Sequence, residues 1–248
     1  MSGQSDLVVR SDEDGLALLT LNRPDRLNAL NVPLFEQLRK HIQDIASDKS
    51  VECVILRGAG RCFSAGHDLG DIAEGEDTPS PGWHSETLRM MEKLPKPVIA
   101  AVHSHCYTGA LEVALAADFI VASDDAKFGD THAKWALTPI WGMSQRLPRR
   151  VGIATAKRMM FTAETVRAEE ALQIGLCEKV FPAAEFHNRI IDFARVIMEN
   201  SVFSHAANKR LLEATDAQAL DMGLQWEIME NEGIGPDAHK RIQAFMKK

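Results

Sequence analysis

Residues 97–130 read PVIAAVHSHCYTGALEVALAADFIVASDDAKFGD and place two apolar runs around a helical pattern. The runs 98–102 and 119–122 are short and bounded by proline or polar residues, which predicts two buried strands. A polar loop is expected after the first run, and the helical spacing of 110–117 begins directly after Gly109. Strand, loop, helix and strand within so short a length predict an α/β fold around this stretch.

Glu112 is the only acid inside the predicted helix, and apolar residues stand on both sides of it. Burial among apolar neighbours raises the pKa of a carboxyl group, which suits a residue that exchanges protons near neutral pH. The alternative interpretation is an acid that pairs with a buried arginine or lies on an exposed face of the helix. Its spacing from Gly109 places both residues on one helical face.

Two glycine-containing loops, residues 61–69 (RCFSAGHDL) and 108–112 (TGALE), resemble each other in composition. Each offers backbone N–H groups beside small residues, and the second lies at a helix N-terminus, where negative charge is favoured. Donors from two loops that converge on one oxygen would form an oxyanion hole. The residues alone leave open whether Gly66 and Gly109 serve this purpose or only form turns.

Composition and charge argue against several classes of function. The 248 residues carry a net charge of −7, so no general basic field attracts nucleic acid. No apolar run approaches the roughly 20 residues of a membrane helix, and the polar N-terminus does not resemble a signal peptide. The four cysteines have no paired spacing, as expected of reduced thiols. We therefore predict a cytoplasmic protein that binds neither nucleic acid nor membranes.

The two halves of the chain differ in their predicted structure. The first half alternates short strands with helices, beginning with a hairpin and a helix over 34–45 that Asn31 caps. The acidic, turn-rich segment 74–82 predicts a mobile surface loop. From residue 143 onward helices dominate, with one brief strand at 177–180. This pattern predicts an α/β first half and a helical second half.

Seven segments form an ordered set: 19–30 (LTLNRPDRLNAL), 53–69 (CVILRGAGRCFSAGHDL), 96–102 (KPVIAAV), 108–123 (TGALEVALAADFIVAS), 126–130 (AKFGD), 145–152 (QRLPRRVG) and 168–182 (AEEALQIGLCEKVFP). In this order and at these intervals they resemble the crotonase (enoyl-CoA hydratase/isomerase) superfamily. No single segment is decisive, but together they are highly specific.

The resemblance implies a spiral of ββα repeats over 1–190 and a C-terminal helical region over 191–248 that caps coenzyme A and forms trimers. Homotrimers or hexamers, as dimers of trimers, are expected. The implied substrate is an acyl-CoA thioester, with coenzyme A as part of the substrate and no further cofactor. Its carbonyl oxygen would be held by the backbone N–H groups of His67 and Gly109.

The resemblance also implies catalytic roles, with one departure. Glu112 matches the first of two catalytic glutamates of family hydratases, whereas His132 stands where the second is expected. Histidine has an ordinary pKa of about 6.5 and is a competent general base. A mixed pair of Glu112 and His132 would hydrate a 2-enoyl-CoA. Asp130, two residues away, is a second candidate for the missing acid, and a histidine that only bonds Asp130 or packs beside Trp135 is the alternative.

Further residues are assigned to substrate binding by position. The residues that match coenzyme-contacting or pocket-lining positions are Arg26, Leu27, Ala29, Ala65, Asp68, Leu69, Tyr107, Trp135, Trp141, Phe245 and Lys248. Lysine near the coenzyme's phosphates is electrostatically favourable, although the C-terminal lysines also fit a solvated basic tail. Tyr107, Trp135 and Trp141 also fit ordinary packing.

Other functions remain open from the sequence. The histidine at 132 favours a hydrolase of the same superfamily as a close alternative, together with an enoyl-CoA isomerase. An acyl-CoA-binding protein with little turnover is an alternative of a different class. A metal site formed by His103, His105 and His132 is disfavoured, because no cysteine or carboxylate completes a recognisable spacing. We therefore predict no metal.

Overall fold

The computed structural model describes residues 6–215 and 218–246. Within these residues the chain forms nine strands and eleven α-helices. In chain order they are β1 (Val8–Glu13), β2 (Leu16–Leu21), α1 (Val32–Ser47), β3 (Cys53–Gly58), α2 (Leu69–Glu74), α3 (Trp83–Glu92), β4 (Val98–Val102), β5 (His105–Tyr107), α4 (Gly109–Leu115), β6 (Phe119–Ser123), β7 (Lys127–Gly129), α5 (Met143–Val151), α6 (Ile153–Thr162), β8 (Val166–Arg167), α7 (Ala168–Gln173), β9 (Lys179–Phe181), α8 (Phe186–Met198), α9 (Val202–Leu212), α10 (Leu220–Met229) and α11 (Ala238–Met246).

The strands form two sheets. Six lie in the larger sheet in the order β1-β2-β3-β4-β6-β9, and three lie in the smaller sheet in the order β5-β7-β8. β1 pairs antiparallel with β2, whereas every later pair in the larger sheet is parallel. Because parallel neighbours require a crossover, the chain leaves this sheet after each strand and returns.

The crossovers give the fold its spiral form. One turn supplies β4 to the larger sheet, β5 to the smaller sheet and then helix α4, and the next turn supplies β6, β7 and α5. β5 and β7 pair in parallel with Tyr107 opposite Gly129. This register brings the chain after Tyr107 beside the chain after Gly129, and both segments belong to the candidate site.

The larger sheet is buried on both faces, as its continuous apolar strands require. Along β3, Val54 and Leu56 face the main core with helices α1 and α3. Cys53 and Ile55 face a second apolar cluster beneath α8. The sheet is therefore a rigid support for the loops that leave its strands.

Most predicted elements are present, but the prediction of a loop without regular structure after β4 was wrong in one respect. It contains β5, whose Cys106 is fully buried and pairs with Phe128, while an isolated bridge joins Cys106 to Ser64. Three residues are too few to show a strand period, and the pairing partners lie elsewhere in the chain. The short helix α2 was also not predicted.

The helical C-terminal region is present. Helix α8 spans the predicted boundary at residues 190 and 191, with Ile190 and Ala194 buried against the larger sheet. The division into 1–190 and 191–248 stays a prediction. None of the described helices combines the length and apolar content that spanning a membrane requires.

Asn28 connects the segment before α1 to the loop after β3. The side chain is fully buried at a φ of 52°. Its Nδ2 donates to the carbonyls of Ala59 and Cys62 at 2.8 Å and of Phe63 at 3.2 Å. Its Oδ1 accepts from the Arg23 amide at 2.9 Å. One side chain therefore fixes both segments where they approach the candidate site.

Replacing Asn28 by alanine is expected to lower the free energy of unfolding by about 3 kcal/mol, because buried carbonyls lose their donor. Urea denaturation measures the change. Asn22→Ala is the control, because its Nδ2 bonds the exposed carbonyl of Asp6 and its loss should cost less than about 1 kcal/mol. Equal losses in the two variants would contradict this role for Asn28.

Candidate active site

A cavity of about 580 Å³ is lined by α4, the 3₁₀ turn His132–Trp135, the start of α2 and the segment before α5. Among its lining residues are nine that the sequence analysis assigned to the site: Ala65, His67, Leu69, Tyr107, Gly109, Glu112, His132, Trp135 and Trp141. These nine residues, which run from Ala65 to Trp141 in the chain, therefore share one concave surface.

The two loops that resemble each other in composition meet at this cavity. Gly66 has a φ of 106°, and a Cβ there would lie 2.6 Å from the Tyr107 carbonyl oxygen. A Cβ at Gly109 would lie 2.6 Å from the Trp141 ring and 3.2 Å from the His67 amide nitrogen. Glycine is required at both positions because any side chain would separate the loops.

The amides of His67 and Gly109 are consequently neighbours. Among residues 6–215 and 218–246, no backbone or side-chain oxygen accepts a hydrogen bond from either amide. Both residues line the cavity. Two N–H groups in this position are available to a single oxygen atom of a bound molecule.

Glu112 is held by the backbone before α5. Its Oε1 accepts hydrogen bonds from the amides of Trp141 and Met143, each at 2.9 Å. The side chain is almost fully buried, with 1% of the residue exposed. The alternative of a solvent-exposed acid, or of one paired with arginine, is therefore wrong.

The burial changes the acidity of Glu112. Burial raises its pKa from 4.5 to about 6, and the Met143 amide, the neighbouring His132 and the Trp141 amide oppose this rise. A carboxyl group with this pKa holds and releases a proton close to neutral pH. The raised pKa predicted from the apolar neighbours is confirmed.

His132 lies against Glu112 and is oriented by Asp130. Its Nδ1 donates to Asp130 Oδ1 at 2.5 Å, and its backbone N–H donates to the same oxygen at 3.1 Å. Nε2 lies 3.9 Å from Glu112 Oε2. With the proton on Nδ1, a neutral ring presents Nε2 as an acceptor.

Asp130 is buried behind His132 and is not among the residues that line the cavity. Its carboxylate therefore orients the imidazole and does not take the place of the missing glutamate. The geometry resembles the way an acid orients a catalytic histidine in other enzymes. Trp135, in the same 3₁₀ turn, is 56% exposed.

Two residues of the cavity region escaped the sequence analysis. Glu76 lies in the segment predicted as a mobile surface loop, yet it lines the cavity, with Oε2 3.1 Å from His67 Nε2. His84, on α3, is buried and stacks on the Trp141 ring with centroids 4.7 Å apart. The only sign of His84 in the sequence was a histidine near the start of a predicted helix. Its partner ring, Trp141, lies far away in the chain.

Several predicted binding residues do not line this cavity. Leu27 accepts a hydrogen bond from the Ala65 amide at 2.9 Å, so residues 26–29 lie next to the cavity loop. Asp68 caps α2 and pairs with Arg23 at 3.1 Å, which gives it a structural contact. Phe245 is 80% exposed on α11. Lys248 lies outside the described residues.

A model of the enoyl-CoA hydratase/isomerase family matches residues 11–248. The chain belongs to the enoyl-CoA hydratase/isomerase family. It is 34% identical to the short-chain-enoyl-CoA hydratase of Clostridium acetobutylicum, covering 97% of this chain and 95% of that protein. It is 29% identical to the 1,2-epoxyphenylacetyl-CoA isomerase of Escherichia coli, covering 98% and 96%.

The fold of this family member agrees with solved structures of its relatives. The crystal structure of an enoyl-CoA hydratase from Bacillus anthracis superposes with a TM-score of 0.91 at 31% identity, covering 97% of this chain and 96% of that one. The superfamily, the enzyme class and the α/β crotonase-like fold predicted from the seven segments are confirmed.

Glu112→Gln is expected to stabilise the protein at neutral pH but not at acidic pH. Burial raises the pKa of Glu112 from 4.5 to about 6. The contribution of this carboxyl group to the free energy of unfolding is therefore largest below pH 4.5 and is lost as the pH rises through 6. Glutamine is neutral and keeps an oxygen for both amides. Between pH 4.5 and neutral pH, the free energy of unfolding of the variant should rise relative to that of the wild type by on the order of 2 kcal/mol.

Urea denaturation of both proteins at a series of pH values measures this gain. Glu169→Gln, at an exposed position, is the control and should show no such trend. A difference between wild type and Glu112→Gln that does not change with pH would contradict the assignment.

Proposed function

We propose that this family member is an enoyl-CoA hydratase, which adds water across the 2,3 double bond of an enoyl-CoA thioester. The observation that carries the proposal is the juxtaposition of two unpaired amides, at His67 and Gly109, with the Glu112–His132 pair in one cavity. The similarity to a short-chain-enoyl-CoA hydratase supports the same reaction class.

The amides of His67 and Gly109 would receive the thioester oxygen. Attack of water at the β carbon places negative charge on this oxygen as an enolate forms. Donors fixed before the reaction stabilise that charge, each with an effect of about 10²–10³ on the rate. The glycines at 66 and 109 are needed because they let the two amides approach.

The proton transfers fall to His132 and Glu112. His132 Nε2 and Glu112 Oε2 are 3.9 Å apart, which is too long for a direct hydrogen bond but leaves both atoms within reach of one water molecule. His132 would take a proton from this water as its oxygen bonds to the β carbon. Glu112 would give a proton to the α carbon, and proton exchange with solvent restores both groups.

Two other reactions use the same groups. An isomerase would move a proton between two carbons without adding water, and the similarity to an isomerase from Escherichia coli supports this candidate. A hydrolase would direct the water activated by the Asp130–His132 pair to the thioester carbonyl carbon. A binding protein with little turnover is disfavoured by a buried acid whose pKa is raised to about 6.

The proposed chemistry is acid–base chemistry on a substrate that carries its own coenzyme A, and we propose no further cofactor. The loop of Arg26, Leu27 and Ala29 adjoins Ala65 at the cavity, a position suited to the coenzyme, and Lys248 remains a candidate for its phosphates. The four cysteines are buried free thiols, which fits the cytoplasmic location predicted from the sequence.

We also propose a homotrimer or a dimer of trimers formed through the C-terminal helices. Large apolar side chains on α10 and α11 are exposed in the single chain: Leu220, Met222, Leu224, Ile228, Met229, Ile242, Phe245 and Met246. A monomer rarely leaves such a set in water, because burial of each side chain contributes about 1.5–3 kcal/mol.

Glu112→Gln and His132→Gln are each expected to lower kcat for crotonyl-CoA hydration by about 10²–10⁴, because each variant loses one proton transfer. Product analysis by mass with crotonyl-CoA, a 3-enoyl-CoA and a β-diketone distinguishes hydration, isomerisation and hydrolysis. Glu169→Gln is the matched control and should retain full activity. A normal hydration rate in His132→Gln would remove His132 from the mechanism.

Ile228→Asp is expected to shift the protein from trimers to monomers, because a charge would be buried in the apolar contact. Analytical ultracentrifugation measures the mass. Ile153→Asp, at a similarly exposed apolar position on α6, is the control and should stay trimeric. A monomeric wild type would refute the proposed assembly.

A further inference from the structure

The cavity has a polar wall that the proposed hydration does not use. It consists of Glu76, His67 and Trp141, which line the cavity, together with the buried His84, and is called the Glu76 wall below. Glu76 Oε2 lies 3.1 Å from His67 Nε2, and Glu76 Oε1 lies 3.7 Å from His84 Nε2. The Trp141 ring lies 4.6 Å from the His67 ring and 4.7 Å from the His84 ring, measured between centroids.

Four buried polar atoms in this wall lack a well-formed hydrogen bond within the described part of the chain. They are His67 Nε2, Glu76 Oε1, His84 Nε2 and Trp141 Nε1. Leaving one such atom without a partner costs about 1–3 kcal/mol, and native proteins rarely group several. Their position beside the substrate cavity indicates that a polar group of the bound molecule completes the set.

The chemistry of the wall restricts what this group is. Glu76, when ionised, only accepts hydrogen bonds, and the Trp141 indole only donates them. Burial, together with the neighbouring His67, lowers the pKa of His84 to about 4, so this ring is neutral. A neutral imidazole donates from one nitrogen and accepts at the other, so the wall as a whole offers both kinds of partner.

Three kinds of acyl chain fit this wall poorly. A hydrocarbon end offers no partner to any of the four atoms. A carboxylate end would be repelled by Glu76, because His67 already lies 3.1 Å from this acid and neutral His84 supplies no further positive charge. An ammonium end would pair with Glu76 but lose its water beside the apolar side chains of Leu69 and Ile72, which also line the cavity.

We propose that the Glu76 wall binds a hydroxyl group on the acyl chain, so that hydroxylated acyl-CoA thioesters are the preferred substrates of this site. A hydroxyl donates to Glu76 Oε1 and accepts from the neighbouring imidazole. The inference depends on the proposed function for the presence of an acyl-CoA in the cavity. It does not depend on which reaction follows.

Binding of matched saturated acyl-CoA thioesters tests the proposal without turnover. Isothermal titration calorimetry compares butyryl-, hexanoyl- and octanoyl-CoA with the same chains carrying a terminal hydroxyl or a terminal amine. For at least one chain length the hydroxyl should lower Kd roughly 10- to 100-fold, as expected of a hydrogen bond to a charged acceptor. In Glu76→Leu this preference should fall to about one.

Glu74→Leu is the matched control, since Glu74 is exposed two residues earlier and should keep the full preference. Glu76→Gln is a second variant, expected to keep part of the preference because its amide also forms hydrogen bonds. A wild type with no preference for the hydroxyl, a preference for the amine, or a preference that survives in Glu76→Leu would overturn the proposal. A hydroxyl preference in a protein that hydrates no enoyl-CoA would refute the hydratase function alone.

Discussion

The hydrogen bonds from the amides of Trp141 and Met143 to Glu112 Oε1 connect the parts of this site. They fasten α4, which begins at Gly109, to the segment before α5. They also satisfy one carboxyl oxygen, so that the other faces His132 at 3.9 Å. Without these hydrogen bonds, burial of the carboxyl group would cost free energy that nothing offsets.

The second requirement is close contact between backbone segments from different turns of the spiral. Gly66 approaches the Tyr107 carbonyl, and Gly109 approaches the His67 amide. Thr108 adopts a positive φ of 53° directly before Gly109, a conformation that costs energy in a residue with a side chain. Thr108 Oγ1 lies 2.6 Å from Thr131 Oγ1, and this contact joins the same loop to the turn that carries His132. The hydrogen bonds of the surrounding sheets offset the conformational energy of Thr108.

The sequence predicted the elements with a clear period and the residues that lie within recognisable segments. Glu112, His132, His67 and Gly109 were found in this way, and the structure places them in one cavity. The sequence did not reveal β5, because its pairing partners are distant. It left open whether Asp130 is a second acid or the hydrogen-bond partner of His132, since a spacing of two residues fits either, and the structure shows the hydrogen bond.

Glu76 and His84 escaped prediction for a related reason. An acid in a turn-rich, charged segment is typical of a solvated loop, and only the folded chain shows its carboxylate against His67. Asn28 likewise sits in a matched segment without any sign of its bonds to the carbonyls of Ala59 and Cys62. The bonds of Asn28 span 31 and 34 positions, and no local sequence pattern encodes either these bonds or the contact of Glu76.

Trp141 joins the acid–base pair to the Glu76 wall. Its amide holds the Glu112 carboxyl group, while its ring packs against Gly109 and against the rings of His67 and His84. A substitution at Trp141 therefore changes the packing of both imidazoles beside the segment whose amides hold the buried Glu112 carboxyl group. The same residue lies beside the amides proposed for the thioester oxygen. The Glu76 wall and the burial of Glu112 thus depend on one buried residue.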